Sequence, residues 1–356
     1  MRVSIGLGGL SRSAEKDSGL LGELEYLVKA GKAGVDIVWT AEAWGADGVT
    51  PLANLAGRTE GLSYGTSILQ VSARTPVVTA MTAMTMATLT GNRFILGLGV
   101  SGPQVVEGLH SQKFDHPLGR MSEYVDIVRM AFEGKKLLYP GRHYQLPVPG
   151  GEGKAIRLGQ LPNPDIPIYM ASLGPKMLEL TGEKADGWLG NCFTPETASI
   201  YFDSIRAGAA RAGRSMDGFQ AKVALACGLS DDPEPLIQAH KTKLAFTLGG
   251  MGSANTNFYN AAYRRIGYED AAVEVQKLFV DGKREEAAGR VPEELVLRTT
   301  LIGDEARVRE RIRAYRDSGI TILHLNPLAA SYEDRLKLIS RMVELVREET
   351  GAAVAA

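Results

Sequence analysis

The sequence contains few cysteines and no excess of charge of either sign. Only Cys192 and Cys227 occur among its 356 residues, and they form neither a CxxC pair nor the framework of a disulfide-rich domain. The 40 basic and 41 acidic side chains leave a formal net charge of −1, which excludes a globally basic nucleic-acid-binding protein. The near-zero net charge leads us to expect no nucleic-acid partner. Cysteine usage of this kind is typical of a reducing compartment, so we also expect a cytoplasmic protein.

Long apolar runs are also absent from the sequence. The longest, such as residues 94–100, fall far below the roughly 18 residues that span a bilayer. Residues 1–10 enter a strand pattern directly, without the charged and apolar regions of a secretion signal. The five histidines show no HExxH or comparable ligand spacing. We therefore expect neither a membrane segment nor a bound metal.

What the sequence does contain is a repeated alternation of strand and helix patterns. Strands are predicted at residues 3–7, 35–39, 62–71, 93–100, 166–170, 187–189, 221–229 and 320–325, with helical periodicity between them. Such strands pair in parallel, because a parallel partner needs a crossover connection. A doubly wound sheet and a closed barrel both fit this alternation, and eight units favour the barrel. The sequence thus predicts an α/β fold, a (β/α)8 TIM barrel.

Two segments interrupt this rhythm. Residues 137–161 contain Pro-Gly turns typical of a hairpin, and residues 233–298 are long and mostly helical. Neither looks like an independent domain, so we expect one domain over residues 1–356, with insertions at about 101–165 and 233–300. The glycine cluster at 248–253 is either the hinge of a lid over the barrel mouth or a helix-to-helix turn.

Two segments of small residues lie at the ends of the third and fourth predicted strands. Residues 97–102 (GLGVSG) match the dinucleotide fingerprint GxGxxG, but they follow the fourth strand, and Pro103 and Gly108 weaken an immediate helix. A backbone cradle at the carboxyl end of a barrel strand, where active sites of this fold form, is the better interpretation. Residues 65–69 (GTSIL) predict a bulge or a backbone surface that faces a ligand.

Polar residues beyond other strand ends are candidates for binding and proton transfer. Residues 171–176 begin a helix whose free N–H groups, together with Lys176, predict an anion site, although an ordinary serine cap would look similar. Candidates for proton transfer are Glu42, Glu107 and His110. Glu42 is the first choice, because its tryptophan neighbours at positions 39 and 44 could exclude water and raise its pKa. It could equally brace the loop, and His324 is a further lone histidine.

Taken together, these segments resemble the luciferase-like flavin and deazaflavin superfamily over nearly the whole chain. The branch that they resemble most is that of the oxidoreductases dependent on coenzyme F420. The motifs that carry the resemblance stand in barrel order: GVDIVWTAE at 34–42, GTSIL at 65–69, ARTP at 73–76, GLGVSGPQVVEG at 97–108, IPIY at 166–169, LGPK at 173–176 and ADGW at 185–188.

The resemblance implies a barrel that holds F420 at its carboxyl end and a cis peptide between Ser67 and Ile68 that backs the deazaflavin ring. It also implies two sets of cofactor-binding residues. The loop that lines the ring comprises Gly99, Val100, Ser101, Gly102 and Gln104, and the phosphate-binding turn comprises Ser172, Leu173, Gly174, Pro175 and Lys176.

The function implied is transfer of a hydride between the deazaflavin C5 and a small organic substrate, in an enzyme that we expect to be a homodimer. Two alternatives stay open, an FMN-dependent monooxygenase of the same superfamily and a barrel that binds flavin or deazaflavin without turnover. The sugar-phosphate dehydrogenase of the family has Asp-His after the second strand, where this chain has Glu42 and Ala43, and its acid in the glycine loop falls near Pro103. This departure argues against glucose 6-phosphate as the substrate.

Overall fold

The computed structural model describes residues 1–7, 19–253 and 256–351, and within these ranges eight parallel strands close a barrel. The third barrel strand is split into two short pieces, and the barrel closes because the last strand pairs with both the seventh and the first. The strands are β1 (Arg2–Gly6), β2 (Ile37–Thr40), β3 (Ser63–Thr66), β4 (Leu69–Gln70), β5 (Phe94–Gly99), β6 (Tyr139–Pro140), β7 (Gln145–Leu146), β8 (Ile168–Ala171), β9 (Gly187–Gly190), β10 (Gln220–Leu229), β11 (Thr300–Gly303) and β12 (Ile322–Pro327).

Helices follow the barrel strands and fill the second insertion. Two short segments are not α-helical, a 3₁₀ turn at Pro195–Thr197 and a π-helical turn at Arg264–Tyr268. The α-helices are α1 (Leu20–Lys32), α2 (Thr50–Ala56), α3 (Pro76–Thr90), α4 (Pro103–His110), α5 (Pro117–Phe132), α6 (Pro175–Lys184), α7 (Ala198–Arg211), α8 (Glu234–Gly249), α9 (Phe258–Tyr263), α10 (Glu269–Val280), α11 (Arg284–Gly289), α12 (Glu293–Arg298), α13 (Glu305–Asp317) and α14 (Tyr332–Thr350).

The predicted (β/α)8 barrel with insertions after the fourth and seventh strands is confirmed. Between β5 and β8 lie α4, α5 and the antiparallel β6–β7 hairpin, and the helices α8 to α12 lie between β10 and β12. The single-domain organisation stays a prediction. No helix in the described part of the chain is long and apolar enough to cross a bilayer.

One expectation about local structure is wrong, and one strand was missed. A helix does begin at Pro103, because proline at the first helical position has a suitable φ and needs no N–H partner. The strand β11 was not anticipated. It pairs with the carboxyl half of β10, from Ala226 opposite Thr300 onward, whereas the shorter β9 covers only the amino half. The ten-residue β10 therefore takes a second partner for backbone groups that β9 does not reach.

Apolar side chains form two layers, one on each side of the barrel wall. The larger cluster fills the space between strands and helices, and it takes Leu323 and Leu325 from β12. A smaller cluster fills the barrel interior with Ile37, Trp39, Ile95, Tyr169, Leu189 and Ile322. Successive side chains of a strand point to opposite faces, so the same strand supplies both layers. The barrel is thus a packed core.

The third barrel strand leaves its ladder at Thr66 and resumes at Leu69, which confirms the predicted bulge. Tyr64 and Gly65 pair with β5, as do Leu69 and Gln70 farther along. In the gap, the buried Thr66 hydroxyl donates to the carbonyl of Gly97 and accepts from its N–H, both at 2.9 Å. A Cβ on Gly97 would lie 1.7 Å from the Thr66 carbonyl oxygen, so this contact requires glycine. The peptide between Ser67 and Ile68 is cis, as expected.

The substitution Thr66→Val should lower the free energy of unfolding by about 1–3 kcal/mol, because it leaves the N–H and the carbonyl of Gly97 buried without a partner. Thr88→Val is the matched control. The Thr88 side chain is exposed and its hydroxyl bonds only to Met84 within α3, so the expected change is below about 0.5 kcal/mol. Urea denaturation of the two variants measures both values. Equal losses would contradict the role assigned to the Thr66 hydroxyl.

Candidate functional site at the barrel mouth

The bulge places Ser67 and Ile68, both partly exposed, at the carboxyl end of the barrel. A Cβ on Gly99 would lie 2.8 Å from the end of the Ile68 side chain, so the backbone of β5 packs directly against that side chain. Ser101 follows with a φ of +58°, and Gly102 precedes α4 without a side-chain cap. The mouth therefore presents bare backbone beside the bulge, which suits the approach of a flat ligand.

Glu42 ties the loop after β2 to the bulge. Its N–H donates to the Ile68 carbonyl at 3.0 Å. Its carboxylate accepts three hydrogen bonds from Arg74, two from Nε at 3.0 and 3.2 Å and one from Nη2 at 2.7 Å. Hydrogen bonding to Glu42 raises the pKa of Arg74. The expectation that Trp39 and Trp44 together exclude water from Glu42 is wrong, because Trp44 is 69% exposed. The geometry therefore favours Glu42 as a brace over Glu42 as a proton carrier.

The other predicted proton-transfer residues lie on α4 and are not joined to Glu42. Glu107 is exposed and accepts the N–H of Phe114 at 3.1 Å. His110 is partly buried, and its Nε2 has no hydrogen-bond partner in the described chain. Gln104 is exposed on the first turn of α4. Among the described residues, no hydrogen bond connects any two of the three candidates Glu42, Glu107 and His110.

The start of α6 has open space and no capping side chain at its N-cap, Gly174. Helix starts of this kind offer unpaired N–H groups to anions. Leu173 is half-buried and Pro175 and Lys176 are exposed. The Ser172 hydroxyl, in contrast, is buried against Thr181 at 2.9 Å. The Ser172 carbonyl accepts the Trp188 Nε1–H at 2.9 Å, so neither this oxygen nor the hydroxyl is open to a ligand.

Arg265, from the second insertion, reaches this turn and was missed by the sequence analysis. Its Nη2 donates to the Leu173 carbonyl, and its Nε is buried without a hydrogen-bond partner among the described residues. The two residues are 92 positions apart, so no local pattern could have paired them. A guanidinium beside an uncapped helix start suits a phosphate group. Phe258 of the same insertion packs on Phe114 with ring centroids 6.1 Å apart.

The predicted lid is only partly visible. Helix α8 ends at Gly249, and the Asn257 side chain donates to the Leu248 carbonyl at 2.9 Å. Ala254 and Asn255, which directly follow the glycine cluster at 248–253, lie outside the described residues. The lid therefore stays a prediction.

Several buried polar atoms of the barrel strands, of the loops that follow them and of the second insertion have no hydrogen-bond partner within the described ranges. They include donors, Trp39 Nε1 and Arg265 Nε, and groups able to accept, Gln70 Oε1 and Ser72 Oγ. Buried polar atoms are normally bonded, so this set suits a ligand that carries both donors and acceptors. A deazaflavin with a phosphate-bearing side chain fits that requirement.

A cavity of about 330 Å³ opens beside the loop after β4 and the start of α5. It carries the cationic side chains of Arg74, Lys113 and Arg120 together with the aromatic ring of Tyr144. Arg120 is paired with Asp115 at 2.8 Å, so the cations are partly neutralised. The cavity has the size and mixed polarity of a small-molecule site.

The barrel interior below the mouth holds two buried basic residues. Lys222 donates to the Ser67 hydroxyl at 2.8 Å, and burial lowers its pKa to about 7. His324 lies 3.4 Å from the Ser4 hydroxyl through Nδ1, and burial, followed by Lys222 and Lys243, lowers its pKa well below the usual value. The sequence analysis missed Lys222, although a lysine in the otherwise apolar strand sequence AKVALACGL at 221–229 indicates a buried charged group.

Comparison with known proteins finds relatives over most of the chain. The sequence profile of the luciferase-like monooxygenase family matches residues 6–321. A Mycobacterium tuberculosis protein, whose name places it provisionally among coenzyme F420-dependent oxidoreductases, is 42% identical over 307 residues, 84% of this chain and 88% of that protein. A 5,10-methylenetetrahydromethanopterin reductase of Archaeoglobus fulgidus is 28% identical over 329 residues, 90% of this chain and 94% of that protein.

Among solved structures, the coenzyme F420-dependent tetrahydromethanopterin reductase from Methanopyrus kandleri is similar, with a TM-score of 0.76 and 22% identity. The match covers 97% of this chain and 99% of that protein. At this identity the likeness shows a shared barrel fold.

If Glu42 is a brace, Glu42→Gln should lower the free energy of unfolding by about 1–3 kcal/mol, because the new amide group would face the Arg74 donors. The matched control is Glu25→Gln, whose carboxylate pairs with Arg58 on the surface and is 58% exposed. That change should lower the free energy by less than about 1 kcal/mol. Chemical denaturation at pH 7 compares the two. A loss for Glu42→Gln no larger than that of the control would contradict the brace.

Proposed function

The chain belongs to the luciferase-like monooxygenase family, and from this premise we propose that it is an F420-dependent oxidoreductase. It transfers a hydride between the deazaflavin C5 and a small organic substrate. The F420-dependent assignments named for its relatives support the choice of cofactor. The observation that carries the proposal is the barrel mouth, where a half-exposed bulge and an uncapped helix start offer places for a ring and a phosphate.

Each part of the mouth has a role in this proposal. Ser67 and Ile68 support one face of the ring, and the backbone and side chains from Gly99 to Gln104 line its edge. The phosphate is held by the first turn of α6, with positive charge from Lys176 and Arg265. When bound, the deazaflavin supplies or accepts the hydride, and the protein orients the substrate against it.

In this proposal, His110 transfers the proton to or from the substrate. Its Nε2 is buried without a partner in the described chain, whereas both carboxylate oxygens of Glu42 are bonded to Arg74. Glu42 then holds the loop after β2 against the bulge. The cavity with Arg74, Lys113 and Arg120 is the proposed entry for the substrate. A homodimer and a cytoplasmic location complete the proposal.

Binding of F420 is tested by quenching of intrinsic tryptophan fluorescence. Trp39 is the sensor, because its ring lies under the bulge, only 2.2 Å from where a Cβ on Gly65 would stand. Trp44 is 69% exposed, so the variant Trp44→Phe reduces the background and serves as the working protein. We expect saturable quenching by F420 and a weaker response to FMN.

Two results would redirect the assignment. Tight FMN binding with no response to F420 would overturn the proposal in favour of an FMN-dependent monooxygenase. Binding of F420 without oxidation of its reduced form, across a panel of carbonyl, imine and alkene acceptors, would indicate a barrel that binds the cofactor without turnover.

A further inference from the structure

Lys222 is a buried base without an acid partner. Its side chain is 4% exposed inside the barrel, and within the described residues no carboxylate lies within ion-pairing distance of its Nζ. Its contacts are the Ser67 hydroxyl at 2.8 Å and the Trp39 ring, whose centroid is 5.0 Å away. Burial of an ammonium group without a counter-charge is destabilising. An apolar side chain would pack there at lower cost, which suggests that the lysine serves function.

Ser67 connects this base to the barrel mouth. Its hydroxyl oxygen accepts from Lys222, so its own hydrogen points elsewhere. In the described part of the chain that hydroxyl makes no other hydrogen bond, and Ser67 is partly exposed at the mouth. One hydroxyl group therefore spans the distance between a buried amine and the surface that receives a ligand.

The charge state of Lys222 is balanced near neutral pH. Burial lowers its pKa to about 7, so the ammonium and the amine are both populated. The other basic group of this interior is His324 on β12, whose pKa is lowered by burial first and then by Lys222 and by Lys243 on α8. Because burial keeps His324 neutral, the charge of the interior is set by whether Lys222 holds its proton.

We propose that Lys222 and Ser67 form a proton relay for the ring that packs against Ser67 and Ile68, an inference that rests on the proposed function. A hydride from the substrate brings two electrons and one proton to the ring, and so one negative charge. Ser67 donates its hydroxyl proton to neutralise that charge, and the Lys222 ammonium replaces the proton on Ser67. Lys222 is left as the amine and recovers a proton from solvent. The opposite direction reverses each transfer. Ser67 touches the ligand, and Lys222 is a positioning residue that acts through it.

The first test needs no cofactor. In protein labelled with ¹³C-lysine, NMR should show one lysine that titrates near pH 7, and that signal should be missing in Lys222→Met. Absence of any lysine that titrates below pH 9 in the wild-type protein would overturn the relay.

Stability distinguishes a functional lysine from a structural one. The pKa of Lys222 is lower in the folded chain than its ordinary value of 10.5 in the unfolded chain. Between pH 7 and 10.5 Lys222 therefore binds more protons in the unfolded chain, so the destabilisation that it causes in the wild type becomes smaller as the pH rises. Lys222→Met should have a higher denaturation midpoint than the wild type at pH 7, and the difference should shrink as the pH approaches 10.

Lys184→Met is the matched control for that measurement. Lys184 is also mostly buried, but it pairs with Asp126 at 2.5 Å, so its replacement should lower the midpoint. If Lys222→Met also lowers the midpoint, Lys222 is structural and the relay is wrong.

The last test follows the bound ring itself. Spectroelectrochemical titration of bound F420 should show a change in the slope of reduction potential against pH near pH 7. This change should be missing in Lys222→Met and in Ser67→Ala, and Ser67→Thr should retain it. Affinity for F420 should stay within about threefold in Lys222→Met, because Lys222 does not contact the ring.

A break near pH 7 that persists in Lys222→Met would overturn the relay even when F420 binds normally. Failure of the wild type to bind F420 would instead overturn the proposed function, and with it the ring as the target of the relay. The NMR and denaturation results do not depend on F420, so the two failures are distinguishable.

Discussion

The exchange of hydrogen bonds between the Thr66 hydroxyl and the backbone of Gly97 allows the third barrel strand to leave its ladder without stranding buried polar groups. Closed parallel barrels tolerate such a break poorly, because every unpaired N–H or carbonyl inside them costs about 1–3 kcal/mol. The Thr66 hydroxyl removes that cost by bonding to both backbone groups of Gly97, and the absence of a side chain on Gly97 makes room for the contact. The chain between Thr66 and Leu69 is then free to face the mouth, so the surface that we propose for the flat ring of the cofactor depends on this local exchange.

The bulge also fixes the position of the loop that follows β2. The Ile68 carbonyl accepts the N–H of Glu42, and the carboxylate of that residue is bound by Arg74 from the loop after β4. A carboxylate just beyond a barrel strand is the pattern expected of a catalytic acid. Here the two oxygens are occupied by a guanidinium, so the same pattern serves to hold two mouth loops together.

The two sides of the barrel wall differ in polarity. The outer layer between strands and helices is apolar and supplies most of the stability by burial. The interior contains apolar side chains such as Trp39, but it also contains the basic residues Lys222 and His324. Burial disfavours the charged form of each base. Departures from an apolar core are expected where function requires them, and Lys222 contacts the bulge through the Ser67 hydroxyl.

Strand and helix periodicity is local, so the sequence by itself predicted the eight barrel strands and most of the helices between them, although not α4. The count of eight units favoured the barrel over a doubly wound sheet, and the small residues at 65–69 indicated a bulge or a backbone surface that faces a ligand. The resemblance to a known family located the cis peptide. Only the tertiary structure decided which side chains meet. Arg74 is 32 residues from Glu42, and Lys222 is 155 residues from Ser67. Periodicity states which face of a strand is buried, but both faces of a barrel strand are buried. The residue that lies opposite depends on strand register and closure, which are properties of the whole chain.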